Sequence, residues 1–267
     1  MAYAPNSVHL PSDRKIAHWV APIARAGYAA KGLVYLIIGG LAVRTAIAGG
    51  KAPDAAGALA WLRESTAAGW ALKAVAIGLA AFVVWRLVQA IFDPEHQGVD
   101  GKRIALRLFR VVSAVIHGSL AVTAWQLSNG LRTEGRDEDH WAGVLLAQPM
   151  GRWLAFAIGA GIIGYGLYQI YRGWTADVER HMQFEGDGLR RPIVALARLG
   201  LVARGIVFSL VGWFLIQAAR SFDADAAGGT AEALRALGNG ALLGFVAAGL
   251  FAYGLYQLAE ARYRRIG

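Results

Sequence analysis

The residues of this chain best suited to chemistry are cations and amides that return at matching places. Arg25, Arg107 and Arg198 each open an apolar stretch, and Lys31 and Arg204 follow the first and last of them by six residues. Three further apolar stretches each carry a glutamine four residues after an aromatic ring: Trp85 and Gln89, Tyr165 and Gln169, Tyr253 and Gln257. Guanidinium, ammonium and amide N–H groups side by side suit an oxyanion better than a cation, because charge-assisted hydrogen bonds to phosphate or carboxylate are the strong ones. The candidate binding set is therefore Arg25, Lys31, Gln89, Gln169, Arg198, Arg204 and Gln257, offered to a small anion, a lipid headgroup or a carboxylate. The same residues have a plainer reading, in which the cations snorkel to headgroups and each glutamine bonds a neighbouring helix for about 0.6–2 kcal/mol. Arg44, Gln126 and Gln217 lie nineteen residues after the three repeat arginines and would supply the far end of a polar path.

Other chemistries are less well supported. Ser113 and His117 stand one helical turn apart and could pair hydroxyl with base, but Tyr35 and Phe208 hold the equivalent positions, so the site chiefly asks for a ring. Asp137-Glu138-Asp139-His140 carries oxygen and imidazole donors for a divalent cation. Adjacent loop residues rarely converge on one ion, so a solvated acidic loop and no metal site is the expectation. Gly159-Ala-Gly-Ile-Ile-Gly164 satisfies the dinucleotide pattern in letters only; it lies inside an apolar run with no strand before it. Serine-nucleophile elbows, P-loops and His-Glu-x-x-His are absent, and without cysteine there is no disulfide or thiolate site. No cofactor is expected, and no enzyme.

These residues must be positioned by membrane helices. Hydrophobic residues make up 56 % of the 267, charged ones 17 %, and six stretches approach the ~20 residues that cross a bilayer. They lie near 27–48, 70–92, 109–128, 152–172, 197–219 and 240–260. The first twenty residues lack an apolar core flanked by a cleavage site, so the first span is the expected insertion signal. The net charge of +9 reflects orientation, not nucleic acid. With the amino terminus inside, the cytoplasmic segments and adjoining helix ends hold seventeen Lys and Arg against nine outside, while acidic residues divide evenly. That is the positive-inside bias with both termini cytoplasmic, on a face that would also attract anionic lipid.

The period of roughly 80 to 90 residues divides the chain into a segment 1–23 and three two-helix repeats at 24–93, 106–175 and 197–264. Gly32 and Gly39, and again Gly205 and Gly212, lie seven residues apart and so share a helix face. Tyr165 and Tyr253 sit on four-residue stripes of the even helices, so all six residues are expected at helix contacts. Outside, linkers opening at Asp54 and Asp225 read as short capped helices on the bilayer surface.

The start Arg25-x-Gly-Tyr-x-x-Lys-Gly-x-Val-Tyr35 and the ends Tyr-Gly-Leu-Tyr-Gln at 165–169 and 253–257 resemble a bacterial integral membrane family catalogued as a domain of unknown function, number 1206. The resemblance covers about residues 24 to 265 and implies three tandem membrane hairpins in a bacterial plasma membrane; it brings no catalytic residues. The middle repeat departs most, with Phe109 in place of Gly27 and Ser113 in place of Lys31. The fold expected is all-α, six membrane helices with pseudo-threefold symmetry. The leading function is non-enzymatic binding or passage of a small polar or anionic species or lipid headgroup. A structural or partner-binding role is the alternative, and a membrane-embedded enzyme comes third. Because the chain has no cysteine of its own, single cysteines report topology cleanly. Gly135→Cys and Gly228→Cys should be labelled from outside intact cells, Gly101→Cys and Gly186→Cys only after permeabilisation; labelling at Gly101 from outside would reverse the orientation.

Overall fold

The computed structural model of the chain describes residues 13–50, 54–64, 68–91, 101–131, 138–175, 182–183, 188–238 and 240–264. Among them, six long helices are apolar enough to cross a membrane: α1 (Asp13–Ala48), α3 (Ala68–Ile91), α4 (Gly101–Ser128), α6 (Gly151–Thr175), α7 (Arg190–Ser221) and α9 (Ala241–Tyr263). Short helices α2 (Ala55–Arg63), α5 (Glu138–Leu146) and α8 (Thr230–Ala236) join the members of each pair. The protein is an all-α integral membrane protein built from three tandem hairpins. Exposed aromatic rings mark its two boundaries: on α6, Trp153 (67 % exposed) and Trp174 (82 %) stand 21 residues apart. At ~1.5 Å per residue that is about 31 Å, the thickness of a hydrocarbon core, with indole rings at each interface.

In lipid, apolar burial does not drive helices together, so close backbone approach matters. Glycine supplies it here. A Cβ at Gly205 or Gly212 of α7 would lie 2.6 Å from the carbonyl oxygen of Gly166 or Gly159 on α6. Across α1 and α9, a Cβ at Gly32 would meet the Gly254 carbonyl at 2.9 Å, and one at Gly39 would overlap the Phe251 backbone. The Gly159–Gly164 motif is thus a stretch of helix, in which Gly159 packs on α7 while Gly161 and Gly164 meet nothing within 4 Å. Within hairpins the same device recurs: Gly27 abuts the backbone of Phe82, and Gly200 that of Tyr253, each at 2.6 Å.

The helices follow one another in space as α6, α7, α9, α1, α3 and α4, each packed on the next. Among the described residues, α4 and α6, the two helices of the middle hairpin, make no comparable contact. Pseudo-threefold symmetry is therefore not established; the row has a seam. At the seam stands Phe109, in the place where Gly27 and Gly200 admit a partner backbone, and its ring stacks on Tyr165, centroids 4.3 Å apart.

Two expectations need correction. Asp54 does cap α2, accepting from the Gly57 N–H at 2.6 Å, but Asp225 falls in a short 3-10 turn (Ala224–Ala226), and α8 opens later with Glu232 accepting from the Gly229 N–H at 3.0 Å. Nor do these helices merely lie on the bilayer, since Leu59 and Leu234 are fully buried in the core. That core, with Val34, Ile38, Val75, Leu79, Val207 and Leu250, fills the middle of the bundle with apolar side chains. Arg44 and Gln217 are exposed, so these polar ends of the far side do not converge into a path.

Gly39→Ala and Gly212→Ala should each destabilise the protein by about 1–3 kcal/mol, as overpacking does, seen as a lower melting temperature in detergent. Gly161→Ala, whose Cβ would meet nothing within 4 Å, should melt like the parent. Equal melting of all three would remove glycine packing as the organising contact.

Candidate functional site

Between the apolar core and the end of the bundle that carries the termini lies a buried polar cluster. Lys31 is 2 % exposed and Arg204 7 %. Charges in a span are expensive unless paired or hydrated, some 2.5–3.5 kcal/mol on insertion scales, so their partners matter. Arg204 donates from Nε to the Tyr35 hydroxyl at 3.0 Å and from Nη1 to the Tyr165 hydroxyl at 3.4 Å. Its guanidinium carbon lies 4.4 Å from the Phe208 ring centre and 5.0 Å from that of Tyr253. Lys31 Nζ donates to the Tyr253 hydroxyl at 3.2 Å and sits 4.9 Å from the Phe82 ring centre. Among the described residues neither cation has a carboxylate at ion-pair distance; phenolic oxygens and π faces hold them.

Further charges surround them. Lys31 shares the Tyr253 ring with Arg204, and the Phe82 ring with Arg86, whose guanidinium carbon lies 4.8 Å from its centre. Glu260 and Arg264, one turn apart at the end of α9, form an ion pair with each other. Gln257, one turn beyond Tyr253 on α9, is 1 % exposed, and among the described residues neither its Oε1 nor its Nε2 has a hydrogen-bond partner. Met182, buried, forms a bridge with Arg264 while the Gln183 N–H donates to the Tyr263 carbonyl at 2.8 Å. This strap packs beside Tyr253 and Tyr256 and covers the cluster at the termini end.

The expected ring is thus only partly assembled. Lys31 and Arg204 come together on Tyr253, Gln257 follows one turn later on the same helix and is buried, and Gln169 is buried. Arg25 and Arg198 are exposed and stand apart from the cluster. Gln89 is buried too, accepting at Oε1 from Arg86 at 3.0 Å and at its carbonyl from Arg110 at 2.9 Å, yet it is not the counterpart of Gln169 and Gln257. Three ring pairs fix the register: Tyr35 with Tyr253 at 4.8 Å, His117 with Phe82 at 4.7 Å, and Phe208 with Tyr165 at 5.5 Å. Phe82 therefore matches Tyr165 and Tyr253, and four residues on, Arg86 matches the two glutamines. An aromatic also stands at Trp85, and the slip of three residues follows from choosing it over Phe82.

The depth also differs from headgroup level. Tyr165, which holds Arg204, lies nine residues, roughly 14 Å, from Trp174 and twelve, roughly 18 Å, from Trp153. Tyr165, and with it the Arg204 guanidinium it bonds, thus lies between the two aromatic boundaries. His117 Nδ1 lies 2.7 Å from the Ser113 carbonyl, which can only accept, so that nitrogen carries the proton and is no base toward the Ser113 hydroxyl. Among the described residues no three His, Asp or Glu gather for a metal; Asp137 of the acidic motif lies outside them.

Three successive segments of the chain, residues 26–93, 110–176 and 199–264, match the family described as Domain of Unknown Function (DUF1206). They end seven residues beyond Arg86, Gln169 and Gln257, in agreement with the register of the ring pairs. The uncharacterized protein YxxB of Bacillus subtilis (strain 168) is 32 % identical over 256 residues, covering 93 % of this chain and 92 % of that protein. No solved structure matches. His117→Phe, which restores the ring found in the other hairpins, should cost under about 1.5 kcal/mol, whereas His117→Ala should cost about 3 kcal/mol by leaving a gap against Phe82. Chemical denaturation in micelles measures both; the reverse order would give the imidazole more than a packing role.

Proposed function

The chain belongs to the DUF1206 family, and we propose that it is a non-enzymatic protein of the bacterial plasma membrane, termini cytoplasmic, that binds an oxyanion among Lys31, Arg204 and Gln257. The observation that carries this reading is the Gln257 amide. A buried amide with both polar atoms unpartnered costs on the order of 1–3 kcal/mol per unmade bond, and such groups in native structures call for an explanation, an unmodelled ligand or water among them. Here the amide stands one turn from a tyrosine that touches both buried cations. Lys31 and Arg204 are both cations, and the carboxylate at the end of α9, Glu260, is paired with Arg264. An anion would complete the charge balance and give the Gln257 Nε2 an acceptor.

Binding is favoured over passage because the middle of the bundle is closed by apolar packing. Catalysis finds no support in the cations and aromatic rings of the cluster; His117, buried beside Phe82, spends its Nδ1 proton on a backbone carbonyl.

The test is thermal unfolding of the full chain in neutral detergent with inorganic phosphate, phosphatidylglycerol or oleate. At least one should raise the melting temperature of the parent, and none should raise that of Lys31→Met/Arg204→Met. Gln257→Leu should melt higher than the parent without ligand, since an unpaired amide is gone, and gain less from ligand. No shift in the parent with any of the three, or an undiminished shift in the double variant, would sink the reading.

A further inference from the structure

Access to the cluster is lopsided. Toward the far side the apolar core closes it, and toward the termini Met182 and the Glu260–Arg264 pair cover it. Around the bundle, each helix packs on the next except at the seam between α4 and α6. The seam is lipid-facing and apolar: Val112 and Ile116 on α4 and Ile158 on α6 are exposed, and a Cβ at Gly161 would meet nothing within 4 Å. At its inner margin Phe109 stacks on Tyr165, whose hydroxyl accepts from Arg204. A ligand entering here passes from hydrocarbon directly to a cation.

Building on the oxyanion reading, we propose that the ligand is a long-chain fatty acid, admitted from the membrane between α4 and α6, with its acyl chain in the seam and its carboxyl group at Lys31, Arg204 and Gln257. Two features choose this class over a phospholipid. The first is depth: Tyr165, whose hydroxyl bonds Arg204, lies roughly 14 Å along α6 from Trp174 at the aromatic boundary, deeper than a phosphodiester resides. The second is the dryness of the route. A carboxylic acid can cross apolar surface protonated and neutral, whereas a phosphodiester stays charged and would meet the full desolvation penalty of an ion.

Beside Lys31 and Arg204 the bound group is held as the carboxylate, which the flat fork of a guanidinium fits bidentately and to which the unpartnered Nε2 of Gln257 can donate. Phe109 gains a role: where the other hairpins close on glycine, it keeps the middle hairpin apart.

The experiment measures binding of oleate, phosphatidylglycerol and inorganic phosphate to the full chain in neutral-lipid nanodiscs, by native mass spectrometry and by thermal shift. Oleate should bind the parent. Two seam variants, Gly161→Trp to fill it and Phe109→Gly to let the helices close, should each weaken oleate binding at least tenfold with helicity unchanged. Two variants acting in opposite ways guard against one of them misfolding. If phosphatidylglycerol or phosphate binds and oleate does not, the oxyanion reading stands and the fatty acid is wrong. Should oleate binding be lost in Lys31→Met/Arg204→Met yet unaltered in both seam variants, the lateral route is wrong. If none of the three probes binds the parent, the oxyanion reading fails and the proposal with it.

Discussion

Close approach of helix backbones is the contact on which this bundle depends. Lipid tails are as apolar as leucine, so helices gain little by hiding apolar surface from them and must find attraction in tight packing. Gly32 and Gly39 against α9, and Gly205 and Gly212 against α6, provide it at seven-residue intervals. For three of them the partner is a glycine too, Gly254, Gly166 and Gly159, so both backbones are bare at those crossings, while Gly39 lies against the Phe251 backbone. The interface then has one register, because a shift by a single residue would bring a side chain onto each carbonyl. That fixed register is what places Tyr35, Tyr165, Phe208 and Tyr253 around a single guanidinium.

The cage solves a problem that the bilayer makes severe. A buried arginine can be neutralised by a carboxylate, but that buries a second charge with its own desolvation cost. Phenolic oxygens and ring faces stabilise a cation without adding a charge, and the hydrophobic bulk of the rings suits the surroundings. The solution leaves positive potential unspent. A carboxylate partner would have quenched it, whereas an aromatic cage holds the cation in place and keeps its field available to an incoming anion.

Much of this was legible in the sequence, because membrane spans and small-residue faces are written in local composition. The six spans, the hairpin repeat and the packing glycines all follow from runs and spacings within single helices. The site was less legible. Lys31 and Arg204 stood out as cations in apolar runs, but Tyr35, which holds Arg204 from 169 residues away, carries no local sign of that bond. Arg25 and Arg198 recur as faithfully as Lys31 and Arg204, yet a few residues nearer the helix start turns them outward to the exposed face. Periodicity gives an angular position around one helix; it does not say which neighbour fills that angle. The register error at Gln89 has the same origin, since Phe82 and Trp85 both precede a polar residue by four, and only the ring on the opposing helix distinguishes them.

The departure of the middle repeat ties architecture to the site. Had position 109 been glycine, α4 would be free to close on α6 as α1 does on α3 and α7 on α9, and the buried cations would be walled off from lipid on every side. Phenylalanine there does more than hold a gap. Its ring rests on Tyr165, which also stacks toward Phe208 and bonds Arg204. Any movement of Tyr165 that admits a molecule through the seam must therefore disturb the Arg204 hydrogen bond, and any anion that draws the guanidinium away must loosen Tyr165 from it. One tyrosine serves the seam and the cage, so access and occupancy are linked through a single side chain. The irregular hairpin is consequently the part of the repeat array with the strongest claim to function, and the two regular hairpins are the frame that holds it open.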